Sequence, residues 1–491
     1  MPRIALAGAS DLVTRAGTAV AGEGGSVVDV AVAASLTAMC IDPGVCAPLG
    51  GGYLTIDLPG RDPVVIDGYM AFPGLGFSGE SFTRTVTMEY GGGVTTLVDA
   101  GSVAVPGAFA AFEMANSRYG VVPWKLIMDI VAEIVEPGFP LLSTAVIYLT
   151  EGANQIFDQD PISRQALFED GEVAALGSVV RFDDLAPTLR IIGAEGVDVL
   201  YRGELGQAIA DDLQERGGRL TRIDLESYEA IARPPLQVEM AGWDLITNPA
   251  PAVGGVALSL ALSAISAAGD PLDPGVWFDA LRRCFELRAE RLEPAVDREA
   301  ATRVLLEEAG IRSASTIAVA AVERDGGAVA ASFSAGYGAG VVPKGTGMLM
   351  NNSVGEIELL PGGMEAQRPG ERMLSNMAPT LARASGRVIA LASPGADRIT
   401  SALTIALARA ALGGDDLASA IDHPRLHPEK LDGRVRAALE PGIDLAGHEM
   451  EIRRYPDRHM YFGGVAGADL DGSVLSAHAD PRRVGSVALI D

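Results

Sequence analysis

The sequence predicts a globular α+β protein. Helical patterns dominate before residue 311, and short strands of small and β-branched residues appear after it. Hydrophobic residues make up 48% and charged residues 21%, the balance of a packed chain. The 491 residues suffice for one large core or two to three domains. Aromatics are only 5% and glycines number 59, so Ala, Val, Leu and Ile must build the core at close backbone spacing.

Residues 24–40, GGSVVDVAVAASLTAMC, predict a helix with Asp29 in its early turns, where a carboxylate suits the helix dipole. The loop 41–53 contains Gly50, Gly51 and Gly52. Such density marks either close approach to a ligand or catalytic strand, or tight packing between layers. Strands are expected at 53–58 and 63–67, and a Pro-Gly turn leads into a helix within 103–119. Helical patterns fill 124–152, 161–175 and 184–216. The proline-rich stretch 232–238 precedes a strand and the turn 248–255, and the helix VALSLALSAISAAG follows. Residues 275–310 read as amphipathic surface helices. Strands are expected at 316–322, 328–334, 347–350, 388–392 and 484–490, with helices at 398–412 and 415–420. The small polar stretch 311–315 reads as a flexible connector or a cleavage site.

The formal charge of −26, from 38 Lys and Arg against 64 Asp and Glu, repels nucleic acid and anionic lipid. Cys40, Cys46 and Cys284 form no CxxC pair and are expected as buried thiols. The five histidines show no HExxH spacing, and Pro424 separates His423 from His427, so no metal site is expected. No GKT or GKS follows the triple glycine, which disfavours a phosphate loop, and no cofactor is expected. No stretch matches a signal core or a membrane span. A cytoplasmic location follows as an expectation.

Between 316–322 and 328–334 lies ERDGG, a hairpin turn. A turn centred on Asp325 places Thr316 opposite Ser334, within one residue. Antiparallel partners hold their Cβ atoms roughly 4.5–5.5 Å apart, so the two hydroxyls can share a hydrogen bond. Thr and Ser pairs are ordinary in sheets, and spacing alone gives neither a role.

Eleven blocks, in order, resemble the γ-glutamyltranspeptidase family. They are GGSVVDVAVAAS (24–35), APLGGGYLTI (47–56), VAVPGAF (103–109), RYGVVPW (118–124), EPGFPL (136–141), NPAPAVGG (248–255), GTGMLMNN (345–352), MLSNMAPT (373–380), ASPGADRI (392–399), HPRLH (423–427) and ADPRR (479–483). The resemblance implies a four-layer αββα sandwich made as an inactive precursor. It implies cleavage between Ser315 and Thr316, giving a large piece 1–315 and a small piece 316–491 that stay together as a heterodimer, with further dimerisation open. The new α-amine, of pKa near 8, would then serve Thr316 as base. Ser334 matches the family's second hydroxyl. The family's SPGG turn reads SPGA here, so Gly395 and Ala396 would supply backbone N–H groups to a developing oxyanion.

The same resemblance marks departures. The arginine that grips a glutamyl α-carboxylate is replaced by Gly68 or Tyr69. Gly336 stands where an Asn is usual, and Ser353 and Glu356 stand in the block that grips the α-amine. Ser375 and Asn376 keep the polar pair that contributes to carboxylate binding, and Arg372 is a candidate replacement for the missing clamp. The expected function is a self-processing hydrolase of small molecules whose specificity pocket is rebuilt. Relatives without the grip serve antibiotic pathways and cleave a C–C bond beside a keto group while making alkylated prolines. The alternatives are a conventional γ-glutamyl hydrolase or transpeptidase, and a non-catalytic scaffold.

Overall fold

The computed structural model describes residues 1–89, 93–292, 301, 318–360, 362–431 and 434–491. The chain opens with β1 (Ile4–Gly8), then α1 (Asp11–Gly22), α2 (Val27–Ile41), β2 (Gly51–Asp57) and β3 (Val64–Gly68). After a helical stretch come β4 (Ile231–Arg233), β5 (Leu236–Met240), β6 (Trp243–Thr247), α3 (Gly254–Ala268) and α4 (Pro274–Leu287). The remainder supplies β7 (Val319–Glu323), β8 (Ala328–Ser334), β9 (Thr380–Ala384), β10 (Arg387–Ala392), α5 (Arg398–Leu407), β11 (Ala466–Asp471), β12 (Val474–Ala479) and β13 (Ser486–Ile490).

Among the described residues these strands form two main antiparallel sheets. The first runs β4-β3-β2-β8-β7-β1-β13, and the second β5-β6-β9-β10-β11-β12. The period-2 alternation of side chains explains how they stack. In β7, Ala320 and Val322 pack against Leu381, Val388 and Ala390 of the second sheet. Val319 and Ala321 point the other way, into a core shared with α1 and α2. The far face of the second sheet, including Ile389 and Leu391, packs with α3, α4 and α5. Small residues on the facing strands let two sheets approach without long side chains between them.

Helix α2 is apolar nearly all round and therefore buried. Its start is a capping box: Ser26 Oγ accepts from the Asp29 amide, and Asp29 accepts from the Ser26 amide at 2.9 Å. Asp29 also accepts from Asn116 Nδ2 and the Val121 amide, both at 2.8 Å, which ties this helix to the next.

The hairpin register is the expected one, with Val319 facing Ala331 and Ala320 facing Ala330. Gly326 takes φ +94°, and Asp325 accepts from the Gly327 amide at 2.8 Å. The triple glycine enters β2, pressed against β8. A Cβ at Gly52 would lie 1.8 Å from the Ser332 carbonyl oxygen, and one at Gly50 2.1 Å from that of Ser334. Close approach to a strand is therefore what these glycines serve.

Some expectations fail. Residues 347–350 form no strand, because Gly345 and Gly347 at positive φ turn the chain and leave only a Leu49–Met350 bridge. The stretch 184–216 is three helices, broken at Gly196 (φ +79°) and before Gly203. Likewise 161–175 stops at Leu167 and becomes a short hairpin, and the helix from Trp124 ends at Val135. The segment 232–238 does not merely precede a strand. It ends β4 at Arg233 and begins β5 at Leu236, and Pro234 and Pro235 carry the chain from one sheet to the other.

Candidate active site

A cavity lies where strands of both sheets end. It is lined by Ala318 and Val319 before and in β7, Ser334 at the end of β8, and Gly395 and Ala396 after β10. Tyr69, Glu356, Ser375 and Asn376 add further lining, as do Asp42, Arg398 and Arg483. The predicted Ser315 and Thr316 lie outside the described residues, three and two positions before Ala318 in the sequence. The remaining predicted residues converge here, with the exception of Ser353.

Ser334 ends the strand facing Gly51. Its Oγ accepts from the Gly336 amide at 3.0 Å, which leaves its own proton available for donation. Gly336 has φ +65°, and a Cβ there would fall 2.4 Å from Asn352 Oδ1 and 2.9 Å from Glu356 Oε1. Space at this position therefore disfavours the family's Asn.

The turn Ser393-Pro394-Gly395-Ala396 is held against Gly463 and Gly464. The Gly464 amide donates to Ser393 Oγ at 3.3 Å, and a Cβ at Gly463 would meet the Pro394 oxygen at 2.8 Å. Gly395 has φ +130° and Ala396 φ +54°. A positive φ at a residue with a Cβ costs about 1–2 kcal/mol and is retained where surrounding structure demands it. Among the described residues neither amide is engaged in a hydrogen bond, and both residues line the cavity.

Ser353 is a correction. It is buried but does not line the cavity, and its Oγ has no partner among the described residues. The reason lies in two asparagines. Asn351 Oδ1 accepts from the Ser353 and Ala104 amides, at 3.1 and 3.0 Å. Asn352 Nδ2 donates to Thr96 Oγ1 at 3.0 Å and to the Leu97 carbonyl at 2.9 Å. These bonds turn Ser353 inward and bring Glu356 to the cavity. The adjacent Asn pair was the available signal for this anchoring.

Tyr69 stacks on Tyr53 with ring centroids 5.5 Å apart. No side chain fits at Gly68, where a Cβ would lie 2.4 Å from that of Ala111. Arg372 does not restore the clamp. It pairs with Asp67 at 3.4 Å, lies 4.3 Å from the Tyr228 ring centroid and is absent from the cavity lining. Asp67 is shared with Arg233 at 2.7 Å.

Sequence reasoning missed three groups. Asp397 follows the Gly395-Ala396 turn and pairs with Arg398 at 2.6 Å and with His427 Nε2 at 3.6 Å. Burial opposes its ionisation, but the charges of Arg398 and His427 hold its carboxyl well below the usual range. His427 Nδ1 lies 2.9 Å from buried Ser401 Oγ, which braces the ring. Asp42 accepts from Thr144 Oγ1 at 3.1 Å. Burial pushes its carboxyl up to about 6, against that hydrogen bond and the charge of Arg483. The cysteines are free and buried, as expected. Among the described residues no group of three His, Cys, Asp or Glu side chains is placed to hold a metal, and no helix is long and apolar enough to cross a membrane.

A family model described as Gamma-glutamyltranspeptidase matches residues 13–292 and 281–490. The Acylase ACY 1 proenzyme of Pseudomonas sp. (strain SE83) is 29% identical over 487 residues, covering 89% of this chain and 86% of its own. The Glutathione hydrolase proenzyme of Pseudomonas sp. (strain A14) is 25% identical over 546 residues, covering 98% and 93%. Among solved structures, cephalosporin acylase from Bacillus halodurans superposes with a TM-score of 0.82 at 21% identity, covering 99% of this chain and 96% of that one. This last likeness concerns the fold.

Two predictions follow from the site. Ala396→Gly relieves the positive φ and should stabilise the protein by about 1 kcal/mol, read as a rise in Tm, with the turn retained. For Asp42, the folded pKa of about 6 exceeds the unfolded value of 3.8. Stability is then complete below the unfolded pKa and is lost as pH rises through about 6, by up to about 3 kcal/mol. The Tm advantage of Asp42→Asn over wild type should therefore be larger at pH 8 than at pH 4.

Proposed function

This chain belongs to the gamma-glutamyltranspeptidase family of enzymes, and we propose that it is a self-processing hydrolase with Thr316 as its nucleophile. The observation carrying this reading is the β7–β8 register. The register holds from Val319–Ala331 to Val322–Ala328, and the same count carried three residues further would bring Thr316 opposite Ser334. Ala318, two positions after Thr316 in the sequence, lines the cavity, and two residues of chain span at most about 7 Å.

In the proposed maturation, Thr316 Oγ attacks the Ser315 carbonyl, and the peptide nitrogen leaves as the α-amine. Water hydrolyses the resulting ester. The pieces are 1–315 and 316–491. Both main sheets support their staying together: the β2–β8 and β1–β7 ladders of the first join strands from either side of the cut, as does β6–β9 in the second. Two sheets packed face to face with helices outside also support the four-layer αββα reading.

In turnover, the α-amine takes the proton of Thr316 Oγ as that oxygen adds to the substrate carbonyl. The Gly395 and Ala396 amides would receive the oxyanion, and Ser334 would donate to the nucleophile oxygen. The leaving group departs with the proton, and water then releases the acyl group. Each oxyanion donor is worth about 2.7–4 kcal/mol of barrier in comparable sites.

The substrate we favour is not a simple γ-glutamyl group. Gly68 and Tyr69 offer no cation, and Arg372 is committed to Asp67. A specialised biosynthetic hydrolase, including C–C cleavage beside a keto group, fits a pocket rebuilt in this way. The relatives named as glutathione hydrolases favour the second reading, conventional γ-glutamyl transfer or hydrolysis.

Denaturing electrophoresis should resolve two fragments, the smaller beginning at Thr316, and Thr316→Ala should run as one band. A wild type that stays whole yet turns over substrate would sink the nucleophile assignment. Chromophore release from a γ-glutamyl anilide should be slow, and rapid release would favour the second reading.

A further inference from the structure

We propose that the cavity wall carrying Arg483 binds a carboxylate that the substrate bears away from its scissile carbonyl. This rests on the cavity being the active site. Two arginines line it. Arg398 is matched, with Nη1 donating to Asp397 at 2.6 Å. Arg483 is in no ion pair among the described residues, and its Nη2 reaches the Met460 carbonyl only at 3.5 Å. Its buried Nε has no acceptor among the described residues. Two nearby carboxylates are already engaged, Glu440 by Arg482 at 2.8 Å and Asp480 by Arg425 and Arg482.

The Arg483 stem packs over Gly464, where a Cβ would lie 2.7 Å from Cδ. This narrows the positions its guanidinium can take, and a planar fork so held suits two-point recognition of a carboxylate. The wall continues along one face of α2, where Ser35, Ala38, Met39 and Asp42 follow at helical spacing. Ser35 is 3% exposed, and its Oγ has no partner among the described residues, so it can donate to the same ligand. Asp42 ends this face, and its charge and that of Arg483 act on each other, although the two form no ion pair. Glu356 also lines the cavity.

The test uses acyl anilides in three versions: neutral, with a carboxylate at the far end of the acyl chain, or with one on the aniline ring. One carboxylated version should exceed the neutral one about tenfold in kcat/KM, mainly through KM, and which one it is tells the side of the bond that Arg483 serves. Arg483→Gln should reduce that ratio below about threefold, while Arg483→Lys, which keeps the charge without the fork, retains part of it. Added succinate should raise the Tm of wild type and not of Arg483→Gln. The proposal is overturned if neither carboxylate helps wild type, if the advantage survives in a folded, processed Arg483→Gln protein, or if succinate leaves the wild-type Tm unmoved. If Thr316→Ala is cut like wild type, the active-site reading fails, and the succinate result still decides the carboxylate site separately.

Discussion

The pairing of β8 with its two neighbours is the constraint on which the site depends. On one side β7 pairs in a register set by the Asp325-Gly326 turn. On the other, β2 presents glycines at Gly51 and Gly52 because any Cβ at Gly52 would strike the β8 backbone. A strand held so closely on both edges cannot slip by one residue without exchanging its two faces. Its alternate residues serve two cores at once, Val329 and Ala331 toward the helices and Ala328 and Ala330 toward the second sheet. Ser334 therefore arrives at the strand end in one orientation, where Gly336 can bond its oxygen.

Around this strand the buried charges gather in ion-paired groups. Glu440 and Asp480 balance Arg425 and Arg482, two against two, while Arg233 and Arg372 share Asp67. A buried charge without a partner costs several kcal/mol, so such groups serve architecture before chemistry. Against that background the cavity is set apart by what it leaves available: two turn amides, the proton of Ser334 and the fork of Arg483. Asp397 lies beside the turn and is braced by Arg398 and His427, which gives the strained Ala396 conformation a rigid support.

Much of the fold was legible because its signals are local. Turn residues, the Ser26–Asp29 cap and the alternation of β7 and β8 declare themselves within a few positions. The misreadings occurred where glycine overrode a helical or strand-like pattern, at Gly196 and at Gly345 and Gly347. Ser334, Gly395, Ala396, Tyr69, Glu356, Ser375 and Asn376 all line the cavity. Ser353 does not, because Asn351 and Asn352 bind chain segments some 250 residues away.

The sequence by itself determined the hairpin register, the family and the residues that gather at the strand ends, since each is written in short-range spacing or in ordered blocks. Tertiary structure alone decided which arginine is available. Arg372 and Arg483 look equivalent in the chain, yet Asp67 and the Tyr228 ring engage one, while the other stands in the cavity wall in no ion pair among the described residues. Charge pairing depends on which groups fold to within a few ångströms of each other, and no local pattern carries that information.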